Sequence, residues 1–305
     1  MSNATPLPID RAADGFATLT LEQPGKPVVV LDLELLQRLD AALKTLAGAG
    51  GRDIRGLIVR SASDRVFVAG ADLKTISEWD DDQLDRYLEF GQRVFCTLAT
   101  LPFPTVAAIN GAALGGGLEL AMHCDALVAA PPAGRDGQPG KPYPVGLPEC
   151  SLGLCPGWGG TNLYPLSLDN PADAIRLCIE GKPMLFEEAK ASGLFAEIAS
   201  SQGELLETAK TWLKSAAANA AVVNYSEVDP WKRSPAQATK TLLSIDRMRG
   251  ELPPSEESKV VLECLNTGLT KGYLAALAAE RKHLVRLRHT PKAKQALAAF
   301  FARGK

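Results

Sequence analysis

Along the first two-thirds of the chain, short apolar runs alternate with amphipathic stretches. Residues 15–21 and 27–31 predict two strands, and residues 33–46 carry apolar positions at helical spacing. The order returns with apolar runs at 54–60 and 66–68 before a helix over about 83–101, and again with 105–109 before a helix from about Gly117. Residues 126–130 begin a further cycle. Repeated strand, strand, helix units without one long array of central strands predict an α/β fold in which stacked sheets wind as a spiral with helices outside.

From about residue 200 the strand signals stop. Segments 203–218, 235–248, 255–267 and 270–302 all have helical spacing, punctuated by Asp229-Pro-Trp and Leu252-Pro-Pro-Ser-Glu. The division expected is a spiral core over 1–200 with the active site and a helical C-terminal region over 201–305. Basic residues outnumber acidic ones from Lys259 onward, including Arg281, Lys282, Arg286, Arg288, Lys292 and Lys294. They read as a solvated helix face or, more sharply, as a contact for phosphate groups.

A chain of 305 residues with 46% hydrophobic content buries a large core, which sets aside disorder. Its formal charge of -2 and pI near 6.0 argue against a dedicated nucleic-acid binder. Cys96, Cys124, Cys150, Cys155, Cys178 and Cys264 form no C-x-x-C pair and have no His at metal-ligand spacing, so they read as free thiols in a reducing compartment. The N-terminal residues lack the pattern of a secretory signal, and no apolar run reaches membrane-spanning length. The expected location is the cytoplasm, with no membrane partner.

Residues 130–144 are rich in Gly and Pro and predict an exposed loop. Gly140-Lys141 is not the end of a phosphate-binding loop, because the earlier glycine is missing and Pro142 stands where Ser or Thr would hold magnesium. No G-x-G-x-x-G fingerprint is present, so a nicotinamide-dependent activity has no support.

The richest chemistry lies in Ile109-Asn-Gly-Ala-Ala-Leu-Gly-Gly-Gly-Leu-Glu-Leu-Ala-Met-His-Cys-Asp125. Gly115 to Gly117 can bring bare N–H groups of a helix start close to a substrate, where a developing oxyanion is stabilised, with Glu119 one turn away for proton transfer. The plainer alternative is a glycine-lined turn built for close packing, with Glu119 a solvated first-turn residue. His123, behind Glu119, reads as a packed histidine, since a Ser-His-Asp triad through it lacks a nucleophile elbow.

Two further segments join this one: Phe67-Val-Ala-Gly-Ala-Asp-Leu-Lys74 and Gly146-Leu-Pro-Glu-Cys-Ser-Leu-Gly-Leu-Cys-Pro-Gly-Trp-Gly-Gly-Thr161. In this order and combination the sequence resembles the crotonase, or enoyl-CoA hydratase/isomerase, superfamily over roughly residues 15 to 200. Its C-terminal part resembles the end of the hydratase half of multifunctional fatty-acid oxidation enzymes, in which a dehydrogenase domain follows.

The resemblance implies a crotonase-like spiral of ββα units and an enoyl-CoA hydratase that turns a 2-enoyl-CoA into a 3-hydroxyacyl-CoA. It assigns the N–H groups of Ala71 and Gly116 to an oxyanion hole, and Glu119 and Glu149 to one water molecule. Gly70, Asp72, Lys74, Gly115 and Trp158 are the substrate-binding candidates. Asp72 also reads as a turn cap, Lys74 as a surface lysine, Trp158 as core and Glu149 as a helix-start carboxylate. No metal or redox cofactor is implied, CoA being part of the substrate. The expected partners are the acyl-CoA, further copies in a trimer or dimer of trimers, and a dehydrogenase domain or partner. The alternatives are an enoyl-CoA isomerase or another crotonase-type acyl-CoA reaction and, from another class, a non-catalytic scaffold holding RNA. The sequence departs from the family pattern at Pro27-Val-Val-Val-Leu-Asp32, which lacks the Asn usual near the adenine site, and at Leu163-Tyr164-Pro165, where a basic residue is common. The 130–144 loop, longer than in compact members, is a candidate for shaping the acyl pocket or a subunit contact.

Overall fold

The computed structural model describes residues 4–134, 140–218, 227–248 and 250–303. Strand β1 (Ile9–Arg11) pairs antiparallel with β2 (Phe16–Leu21), and α1 (Leu33–Ala47) follows. Asp32 caps α1 by accepting a hydrogen bond from the Leu35 N–H, a contact worth about 1 kcal/mol. The chain then places alternate strands in two sheets. β3 (Gly56–Ser61) is followed by β4 (Val66–Val68), and helices α2 (Leu73–Glu78) and α3 (Asp81–Ala99) lead to β5 (Thr105–Ile109). Next come β6 (Ala112–Leu114), α4 (Gly116–Met122), β7 (Ala126–Ala129) and β8 (Pro144–Gly146). Helices α5 (Gly160–Ser167), α6 (Pro171–Glu180) and α7 (Phe186–Ala191) surround β9 (Met184–Leu185), and β10 (Glu197–Ile198) follows.

The larger sheet has the order β1-β2-β3-β5-β7-β10 and the smaller the order β4-β6-β8-β9. From β2 to β10 the larger sheet is parallel, and so are β4, β6 and β8. Each turn thus contributes one strand to each sheet, which is the spiral expected from the sequence. The remaining described elements are helices: α8 (Leu205–Ala218), α9 (Pro230–Arg233), α10 (Pro235–Met248), α11 (Glu256–Lys271), α12 (Tyr273–Leu287) and α13 (Pro291–Arg303).

Strand β5 shows how side-chain alternation builds the layers. Ala107 and Ile109 enter the main core, whereas Val106 and Ala108 face a second apolar cluster. Leu205, Ala209 and Leu213 of α8, at four-residue spacing, cover that second face. The first helix after residue 200 is therefore part of the sheet's packing.

Two elements differ from expectation. Residues 27–31 form no strand: Leu31 makes an isolated parallel bridge with Ala71, while the Val30 N–H is taken by the Gln23 side chain at 2.7 Å. The helical pattern over 270–302 breaks into α12 and α13 at Pro291, whose ring supplies no N–H and suits a helix start. Residues 135–139 of the 130–144 loop lie outside the described residues.

Candidate active site

Three sequence-distant segments meet because each follows one of three neighbouring parallel strands. Gly70 and Ala71 come just after β4, Gly115 and Gly116 after β6, and Glu149 after β8. Ligands characteristically bind at the carboxyl ends of such strands.

The first two turns lie against each other. A Cβ built on Gly70 would stand 3.0 Å from the Leu114 carbonyl oxygen and 4.0 Å from the Gly116 nitrogen. The bridge to Leu31 uses the Gly70 carbonyl, which accepts the Leu31 N–H at 2.9 Å, rather than the Ala71 N–H. Gly116 opens α4, so its N–H has no acceptor one turn earlier in the helix. Gly115 has φ +53° and ψ −129°, a conformation suited to glycine, and its N–H donates to the Gly146 carbonyl at 2.9 Å.

Glu119 lies in the first turn of α4 and is 1% exposed. Its Oε1 accepts the N–H groups of Trp158 and Gly160, each at 2.8 Å, leaving Oε2 clear of those two donors. Burial pushes its pKa up to about 7, against the pull of the Trp158 and Gly160 N–H groups. Glu149 opens a short 3₁₀ turn, with its Oε1 against Gly115. Its Oε2 is buried and has no hydrogen-bond partner. Burial, and then the charges of Glu119 and Glu280, hold its pKa well above the ordinary carboxylate range. Two neighbouring carboxyls that resist ionisation, one with an unsatisfied oxygen, are suited to sharing protons with a reactant.

Asp72 caps α2: its Oδ1 accepts the Lys74 N–H at 3.0 Å and its Oδ2 accepts the Thr75 hydroxyl at 2.9 Å. Lys74 is exposed. Trp158 is 1% exposed, packs edge-on against Tyr87 and Phe95, and donates its indole N–H to the Leu88 carbonyl at 3.0 Å. Its ring lies beneath the glycine turn, where a side chain at Gly116 would overlap it, so its direct link to the carboxylates is its main-chain N–H. His123 bonds through Nδ1 to the Glu119 carbonyl at 2.8 Å and through Nε2 to the Tyr273 hydroxyl at 3.0 Å. Burial lowers its pKa to about 4, as befits a neutral packed ring.

One residue of this cluster was not anticipated from the sequence. Glu280 of α12 is fully buried and accepts the Gly159 N–H at 2.6 Å, the Thr161 N–H at 2.9 Å and the Thr161 hydroxyl. Burial, then repulsion from Glu119, raises its pKa to about 8. The signal was present: Glu280 falls on the stripe Tyr273, Ala276, Leu277, Leu284 and Leu287, where a carboxylate interrupts the buried face.

Several basic residues of the C-terminal helices are engaged with acids. Arg281 pairs with Asp85 and Glu89, Arg286 with Glu256, Arg288 with Asp81 and Lys292 with Glu257. Among the described residues, no group of three His, Cys, Asp or Glu side chains could hold a metal ion, and no helix is long and apolar enough to cross a membrane.

The sequence profile of the enoyl-CoA hydratase/isomerase family matches residues 11–228. The fatty acid oxidation complex subunit alpha of Shewanella frigidimarina is 31% identical over 301 residues, covering 96% of this chain and 40% of that protein. Its counterpart from Vibrio cholerae is 32% identical over 295 residues, covering 94% of this chain and 40% of the relative. The chain thus spans about two-fifths of the length of these curated relatives. In fold it is similar to an enoyl-CoA hydratase from Bacillus halodurans (TM-score 0.65, 24% identity, 97% of this chain and 100% of that one). It is likewise similar to the human mitochondrial delta3-delta2-enoyl-CoA isomerase (TM-score 0.67, 21% identity, 98% of both chains).

Proposed function

The chain belongs to the enoyl-CoA hydratase/isomerase family, and from that membership we propose that it adds water across the 2,3 double bond of a 2-enoyl-CoA to give a 3-hydroxyacyl-CoA. The observation that carries the choice of hydration is the pair of carboxyls at the glycine turn, Glu119, which is buried, and the half-buried Glu149, whose Oε2 is enclosed and unpartnered and whose Oε1 lies against Gly115.

In this reading the Ala71 and Gly116 N–H groups receive the thioester oxygen, on which enolate charge grows. Each well-placed donor is worth on the order of 3 kcal/mol in the transition state. Glu149, whose raised pKa favours its protonated form, delivers a proton to Cα. Glu119, near 7, is readily ionised and draws a proton from the water whose oxygen attacks Cβ. One proton leaves the pair from Glu149 and one enters it at Glu119, so the pair keeps a single proton in all, and its return from Glu119 to Glu149 readies the site for the next turnover. Hydroxyl and hydrogen arrive on adjacent carbons, which is why two acid–base groups are needed. The reading takes no cofactor beyond the CoA of the substrate.

The relatives' description as subunits of a fatty acid oxidation complex supports a fatty acyl thioester as substrate; the 3-hydroxyacyl product is itself a substrate for a dehydrogenase, which we expect on the same polypeptide or a partner. The exposed Leu274, Phe300 and Phe301 of the last helices support subunit packing, for which a trimeric or hexameric mass in solution is expected and a monomeric mass is contrary.

The deciding experiment follows loss of conjugated thioester absorbance with crotonyl- through decenoyl-CoA, together with product analysis on a 3-enoyl-CoA. Turnover in the first series supports hydration. No turnover there, with isomerisation of the 3-enoyl substrate, replaces it with isomerase chemistry.

A further inference from the structure

Four consecutive main-chain N–H groups, those of Trp158, Gly159, Gly160 and Thr161, are shared alternately between two buried carboxylates. Glu119 Oε1 takes Trp158 and Gly160, both at 2.8 Å. Glu280 takes Gly159 at 2.6 Å and Thr161 at 2.9 Å, with the Thr161 hydroxyl as a third donor. Gly159 has φ +99°, and a Cβ there would overlap the Tyr273 hydroxyl, so α12 presses on the turn at a second point. That hydroxyl also meets His123, whose other ring nitrogen bonds to the Glu119 carbonyl. Glu119 is thereby held at its side chain and at its main chain by groups that all lead back to α12.

We propose that Glu280 is a positioning residue for Glu119: by gripping the Gly159 and Thr161 N–H groups, it turns the Trp158 and Gly160 N–H groups toward Glu119 Oε1 and fixes the carboxylate that takes the water's proton. This rests on the reading of Glu119 as the base. The three donors converging on its two oxygens match an ionised, acceptor-only carboxylate at position 280, and their pull opposes the burial and the Glu119 charge that raise its pKa. A glutamine there keeps the shape but turns an N–H₂ donor toward one of the N–H groups, so one side of the grip opposes donor to donor. Bulk packing is spared, while the angle at which the turn meets Glu119 is released. Small displacements of this kind cost up to about 100-fold in rate.

The test is a double-mutant cycle on kcat and KM in the full chain. Glu280→Gln is expected to lower kcat by about tenfold or more with KM changed less than about threefold. In a Glu119→Gln background the same change is expected to cost less than about threefold further, since the group it positions is already disabled. Thr161→Val, which removes the hydroxyl donor and with it the acceptor of the Asn162 Nδ2–H, is expected to lower kcat in the same direction, and Thr161→Ser to restore it; this pair serves if Glu280→Gln does not fold. Equal losses in both backgrounds, or an unchanged kcat in Glu280→Gln or Thr161→Val, overturn the positioning role. Wild-type rate in Glu119→Gln, or no turnover by the unaltered chain, overturns the base reading and the positioning role with it.

Discussion

Gly115 and Glu149 occupy adjoining space: a Cβ on Gly115 would stand 2.5 Å from Glu149 Oε1. The glycine that opens the turn also leaves room for the carboxyl delivered by the next strand. Gly115→Ala should therefore displace Glu149 and lower hydration by about 100-fold. Its backbone conformation adds a stability cost on the order of 1–3 kcal/mol. Steady-state rates and thermal unfolding measured on one preparation check both, and a fully active alanine variant would contradict the placement of Glu149.

Glu149→Gln removes the proton proposed for Cα while keeping the side-chain volume. Its kcat should fall by at least about 100-fold, with acyl-CoA affinity nearly unchanged. Calorimetric binding of a 3-hydroxyacyl-CoA beside the turnover assay separates the two effects. A near-normal rate would remove Glu149 from the mechanism.

Gly91 in α3 faces the Trp158 indole so closely that a methyl group there would overlap it. Alanine normally favours a helix over glycine by about 1 kcal/mol. Here overpacking against a ring fixed by Tyr87, Phe95 and the Leu88 carbonyl should cost about 1–3 kcal/mol and outweigh that gain. Gly91→Ala is expected to lower Tm, and a raised Tm would show that the indole has room to move.

The raised carboxyl pKa values give stability a definite pH dependence. Glu119 titrates at about 7 and Glu280 at about 8 in the folded chain, against an ordinary value of 4.5. The folded state thus binds protons that the unfolded chain releases, and the associated stability is complete below about pH 4.5 and lost as pH rises through 7 and 8. Glu149 moves in the same direction. Glu149→Gln, which never ionises, should lose less Tm than the wild type between about pH 5 and pH 8.5. The gap should reach about 2 °C or more, the effect of about 1 kcal/mol in a chain of this size. Parallel melting curves across that range would refute a raised pKa at Glu149.

Much of the spiral was legible because strand identity and burial coincide. Val66–Val68 and Thr105–Ile109 are apolar runs that became strands with the bounds expected. The run at 28–30 has equal β-propensity, but the Gln23 side chain takes the Val30 N–H, and no propensity scale registers such a competitor. At the site, the glycine turn and both glutamates could be read from local motifs. Glu280 could not, because it lies 119 residues from Thr161 and its meaning comes from the main-chain donors it meets. In sequence it stands beside Arg281 and resembles an ordinary charged helix residue, and only its phase on the apolar stripe marks it as buried.

The approach to β8 has a further consequence. The Tyr143 hydroxyl donates to the Ala130 carbonyl at 2.7 Å, and a Cβ on Gly140 would overlap the Pro132 and Ala133 carbonyl oxygens. The described segments 130–133 and 140–143 are thus clasped together at the end of β8 opposite Glu149. A change of chain length between residues 134 and 140 is therefore expected to leave Pro144 in register with Leu185. Evolution and protein engineers alike therefore have a port for new sequence that leaves the spacing of Glu119 and Glu149 alone.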